Sequence, residues 1–150
     1  MADINKFIPI FFRWEERFAE DVRLMTKYEY DVVEYVLRPY YWDVWQADKI
    51  QSQALANILV DWLWRNGRHG ITITQGILGV NQDGIVGEKT LAVLNTYPDY
   101  KELFDKIQQV RKAYINMICL NNPKSKRFKK DWLSRLNNIK FLPEAAVHDD

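Results

Sequence analysis

At 150 residues the chain is most simply one domain, with length enough to bury a substantial core. Its 21 Lys and Arg against 20 Asp and Glu leave a net charge of +1, so no overall field singles out nucleic acid as a partner. One cysteine and two histidines rule out an intramolecular disulfide and supply no zinc set, so neither metal nor cofactor is expected.

Asp3 is a candidate cap for a first helix, whose apolar face comprises Phe7, Ile8, Ile10, Phe11 and Trp14. Pro9 falls inside it, so a late start or a bend is expected. The apolar run around Phe7 is too short to span a membrane, and no small-residue cleavage site follows it. The expectation is a chain made in the cytoplasm without an integral membrane segment, reaching the outside only through a lysis pore or a dedicated secretion machine.

Asp21 to Leu37 has helical spacing, with Thr26 capping its second half and Pro39 as the expected stop. Residues 40–45, Tyr-Tyr-Trp-Asp-Val-Trp, form the most aromatic window. Ile50 to Trp64 is apolar almost all round, which marks a central buried helix over about 50–66, closed by Asn66-Gly67. Ile71 to Leu78 is β-branched enough for a strand but is read as a helix. A short helix over Lys89–Asn95 follows. A longer one starts at Pro98-Asp99, buries Leu103, Phe104, Ile107, Val110, Tyr114, Met117 and Ile118, and ends at Asn121-Asn122-Pro123. Cys119 lies in its apolar run and reads as a small buried hydrophobe. Lys124 to Lys130 reads as a solvated basic face, Trp132, Leu133 and Leu136 as a last amphipathic turn or two, and Glu144 to Asp150 as a loose end. The fold class is all-α, in a single domain.

Residues 79–91 carry three of the six glycines. Gly79 ends one helix, Asp83-Gly84 makes a turn, and Gly87 opens the next helix with Glu88 in its first turn, where the helix dipole favours an acid. Each glycine makes positive φ accessible.

Asp61 has apolar neighbours on every side, and a buried acid must be hydrogen-bonded or neutral. Pairing with an arginine or capping a helix is one reading, and lining the floor of a cleft is the other. The aromatics from Tyr40 to Trp45, with Trp62 and Trp64, have flat faces suited to sugar rings, although aromatics at helical spacing are more often core.

Several stretches together resemble the lysozyme-like N-acetylmuramidases that pair a short catalytic region with a predicted peptidoglycan-binding region, some of which carry the label secretion activator protein. Residues 38–43, Arg-Pro-Tyr-Tyr-Trp-Asp, resemble that family's basic-x-x-Tyr-Trp-Asp segment. Residues 56–67, with Asp61 in the middle and Asn66-Gly67 at the end, resemble its central helix. Leu78-Gly79-Val80, Asp83-Gly84, Gly87 and Thr90-Leu91 resemble its peptidoglycan-binding signature, with Glu88 in place of the usual Pro. Residues 129–135 resemble its closing Gly-Trp-x-x-Arg element. The resemblance implies a lysozyme-like helical domain divided into a catalytic region over 1–66, a peptidoglycan-binding region over 67–140 and a tail over 141–150. It also implies a function: hydrolysis of the β-1,4 glycan link of peptidoglycan strands, with no cofactor. Glu15, in Trp14-Glu15-Glu16-Arg17-Phe18, matches the family's catalytic acid, and Tyr41, Trp42, Asp61 and Asn66 are the implied substrate-binding residues.

The pattern lapses after Glu15. The family follows its acid with two glycines and a polar, Gly-rich hairpin, and neither glycine nor hairpin has a counterpart here. Either the protein lacks the hairpin, which favours a non-catalytic peptidoglycan-binding or scaffold protein, or a segment is missing from the sequence. The second case predicts a break in the chain between Glu15 and Val22, wider than the ~3.8 Å that separates consecutive Cα atoms.

Overall fold

A computed structural model describes residues 1–13 and 25–142. Glu15, the expected break before Val22 and the tail over Glu144–Asp150 lie outside the described residues. Within them the protein is all-helical, as expected, with seven α-helices and no strand.

Helix α1 spans Ile4–Phe11, and Asp3 caps it by accepting from the Asn5 N–H at 2.9 Å. Pro9 lies inside this helix, and Phe7 and Ile8 point into the core. Helix α2 spans Lys27–Val32 and starts at a capping box: the Thr26 hydroxyl oxygen accepts from Glu29 N–H while the Glu29 carboxylate accepts from Thr26 N–H.

Pro39 does not stop the chain where the sequence suggests. The helix widens into a π-helical stretch over Val33–Trp42 that runs straight through it. In this wider turn each N–H reaches back five residues, as Asp43 N–H does to the Arg38 carbonyl at 2.8 Å. Proline lacks the donor but need not break the stretch, and Leu37 and Trp42 remain in the core.

Helix α3, Gln53–Asn66, is the centre of the molecule, with an unbroken run of buried residues from Ala54 to Leu63. Ser52 caps its start, and Gly67 ends it with φ +66°. Helices α1, α4, α6 and the π-helical stretch all pack on it. A helix surrounded on every side must be apolar on every side, which is the pattern its sequence carries.

Helix α4, His69–Leu78, is a helix despite its β-branched residues. Two residues separate it from α3, and Gly70 explains how closely it packs: a Cβ there would lie 3.0 Å from the Trp62 ring. Helix α5 is Glu88–Asn95, and α6 is Tyr100–Asn121, capped by Asp99. A 3₁₀ stretch, Pro123–Phe128, leads into α7 over Lys129–Asn137.

The buried face of α6 is a correction. It consists of Leu103, Phe104, Ile107, Arg111, Ile115 and Cys119, whereas Met117 is 48% exposed. Counting apolar residues alone moves the face round the helix, because the residue that continues the four-residue step from Ile107 is an arginine.

Candidate functional site

Arg111 is drawn inward by Asp61. Its Nη2 lies 3.0 Å from Asp61 Oδ2, its Nη1 donates to the Ile58 carbonyl at 3.1 Å, and its guanidinium lies 5.6 Å from the centre of the Trp62 ring. Both partners are buried. Burial pushes the Arg111 pKa down, and the Asp61 charge opposes that shift by favouring the charged form. Of the two readings of Asp61, pairing with an arginine is therefore what the fold uses.

The pair also forms one wall of a recess of about 190 Å³ between α3, α6 and α7, whose lining includes Asp61, Arg65, Asn66, Arg111, Trp132 and Leu136. Arg65 is one turn beyond Asp61 on α3. Its pKa is lowered chiefly by burial, raised in part by Asp61 and lowered again by Arg135. A neighbouring recess is lined by Ile10 and Arg13 at the end of α1 together with Asp61, Arg65 and Arg135. Arg135 pairs with Asp131 one turn back on α7, at 3.1 Å. These side chains form a cationic patch with carboxylates embedded in it and an apolar wall. Such a lining can hold an anionic or hydroxyl-rich group, and the recess is smaller than the ~300–1,000 Å³ of most small-molecule sites. Among the described residues no group of His, Cys, Asp and Glu is placed to hold a metal.

The candidate binding residues separate. Asp61 and Asn66 share the recess. Tyr41 is half-buried and packs edge-on to Trp64 at 4.9 Å. Trp42 has no exposed surface; it packs on Phe7 and donates its indole N–H to Asp48 Oδ1 at 2.8 Å, so it has no face free for a sugar. Sequence reasoning missed Arg111 and Arg65 altogether. The one signal for Arg111 was its place between Ile107 and Ile115 on a four-residue step.

The glycine loop is built on a residue that also escaped notice. Gln75 of α4 is fully buried. Its side-chain oxygen accepts from Gly84 N–H at 2.9 Å, and its amide nitrogen reaches the Ile85 carbonyl at 2.9 Å, Asp83 Oδ1 at 3.1 Å and Thr90 Oγ1 at 3.2 Å. Asp83 Oδ1 also accepts from Ile85 N–H at 2.9 Å, so this acid organises its own turn. From outside, Arg68 donates to the Gly84 carbonyl at 2.7 Å and Gln46 to the Val86 carbonyl at 2.6 Å. Gly79 closes α4 at φ +75° in a Schellman motif: Val80 N–H bonds the Gln75 carbonyl and Gly79 N–H that of Gly76. Gly84 also needs positive φ, but Gly87 does not, since it caps α5 at φ −113°.

Residues 69–137, from the start of α4 to the end of α7, match the family model described as Predicted Peptidoglycan domain. Among solved structures, the structure of SagA from Brucella abortus is similar, with a TM-score of 0.63 and 21% identity over 92% of this chain and 76% of that one. At that identity the likeness is one of fold. No curated protein matches. The family match supports a peptidoglycan-related protein, and the structural likeness its fold.

Proposed function

We propose that the chain binds peptidoglycan strands and cleaves their β-1,4 glycan link as an N-acetylmuramidase, with Glu15 as general acid and the region 67–140 as the wall-binding part. The observation that carries this reading is where α1 ends. Arg13 borders the recess that contains Asp61 and Arg65, and in the sequence Glu15 follows it by two positions. Glycoside hydrolysis asks for a protonated acid beside the leaving oxygen and a second group that attacks or activates water. Asp61 lines this recess and the adjoining one between α3, α6 and α7, which Asn66 also lines, and the two serve as binding residues.

One observation favours a second reading, a non-catalytic peptidoglycan-binding protein. A general acid needs its pKa raised, and the arginines around this recess act the other way on any carboxyl brought beside them. Clearing of a peptidoglycan suspension, with Glu15→Gln as the comparison, decides between the two. The enzyme reading expects the substitution to slow clearing by about 10²–10⁴-fold. Wild type that sediments with peptidoglycan without clearing it establishes the binding reading instead.

A further inference from the structure

Of the 21 Lys and Arg, seven fall between Lys124 and Lys140, where the single carboxylate is Asp131. The rest of the chain therefore carries a net negative charge. The structure gathers four of these cations on one side of α7. Lys126, Lys129, Lys130, Leu133, Ser134 and Asn137 recur at helical spacing, and with Lys140 they line an open groove of about 680 Å³. The opposite side of α7 carries Trp132 and Leu136 into the arginine recess. Asp131 is taken up by Arg135. None of Lys126, Lys129, Lys130 and Lys140 is ion-paired with a carboxylate among the described residues.

This arrangement costs stability. Like charges three and four residues apart repel, and Lys129 and Lys130 occupy the first turn of α7, the end of the helix dipole that disfavours cations. Asp131 in the same turn meets the dipole effect only in part, because Arg135 holds it, and no carboxylate among the described residues offsets the repulsion. A partner carrying negative charge would.

We propose that this groove binds the free carboxylates on the peptide stems of peptidoglycan, so that the chain recognises the wall by its peptides as well as its glycan. The proposal rests on the peptidoglycan reading above and names the part of the polymer that the α7 face holds. Charge complementarity supplies the attraction. Ser134 and Asn137 add neutral hydrogen-bonding groups between the lysines, suited to peptide amides. Stem carboxylates recur along a glycan strand, so weak exposed pairs act together.

The test is co-sedimentation with purified intact peptidoglycan or with beads that carry amidase-released, stem-free glycan strands, for wild type and for Lys129→Glu/Lys130→Glu. Acids in the first turn suit the helix dipole, so the variant retains its fold, which its thermal melt checks. Wild type is expected to bind intact material about tenfold more tightly than stripped glycan, with the advantage shrinking as salt rises. The variant is expected to lose that advantage. Equal binding of variant and wild type to intact peptidoglycan overturns the proposal and leaves the peptidoglycan reading standing. Wild type that sediments with neither material overturns both. Displacement of wild type by short DNA at a lower charge concentration than by soluble stem peptides also overturns it, in favour of a general polyanion surface.

Discussion

Arg111 on α6 holds Asp61 on α3 at 3.0 Å inside the protein, with the Ile58 carbonyl and the Trp62 ring as further company for its charge. The two residues are 50 apart in sequence, and the pair ties α6 to the central helix. Removing either partner leaves the other charge buried. Arg111→Ala or Asp61→Ala is expected to cost about 3–5 kcal/mol in urea unfolding. Joint replacement by Met and Leu is expected to recover most of that loss, since an apolar pair of similar volume needs no desolvation. A double variant no better than the singles would show that the pair stabilises by more than mutual neutralisation.

Gln75 is expected to matter more to the glycine loop than any glycine in it. Gln75→Leu keeps the volume but leaves Gly84 N–H and the Ile85 carbonyl without their partner. Each such group costs about 1–3 kcal/mol if it stays buried. The loop is therefore expected to open toward water, seen as faster amide exchange at Gly84 with the exchange of α3 unchanged.

Gly79 and Gly87 look alike in sequence and should differ on substitution. Gly79→Ala places a Cβ on a residue at φ +75° and is expected to lower stability by about 1–2 kcal/mol. Gly87 has ordinary φ and nothing within 4 Å of an added Cβ. Gly87→Ser supplies a capping hydroxyl at the start of α5, so a change within about 0.5 kcal/mol, or a small gain, is expected. Thermal melts of the two variants check the contrast.

The turn at Asp83 is expected to depend on pH. The Ile85 N–H, and after it the Gln75 amide, hold the Asp83 carboxyl below its usual value of 3.8. A carboxyl whose folded pKa is depressed adds its stabilisation above the unfolded value and loses it as pH falls through the folded one. The turn should therefore be fully formed at neutral pH and loosen only below about pH 3.8. The Ile85 amide proton shift followed through acid titration reads this directly. Asp83→Asn keeps an acceptor for that N–H, so the acid-induced change is expected to vanish.

What could be read from the sequence is what the backbone decides locally. Asp3, Thr26 and Asp99 carry side-chain oxygens that satisfy helix-end N–H groups a few residues on, and Gly67 and Gly79 take positive φ that costs other residues more. The all-round apolar pattern of Ile50 to Trp64 marked a central helix before any contact was known, and residues 54–63 of α3 are buried without a break. Pro39 misled because its effect depends on which helix it joins: it stops an α-helix but was accommodated by a wider turn.

The tertiary structure alone decided which polar groups lie inside and which charges gather outside. Arg111 and Gln75 are residue types that normally face water, and their burial depends on partners from other elements: Asp61 and Ile58 on α3, Gly84 and Ile85 in the loop. The basic run at Lys124–Lys130 read as a solvated face, and became a groove only when α7 set Lys129, Lys130 and Lys140 around one depression. Caps and glycine stops are set by bonds across three or four residues, so sequence determines them. A buried ion pair or a gathered patch is set by which helices meet, and that is decided by the packing of the whole core.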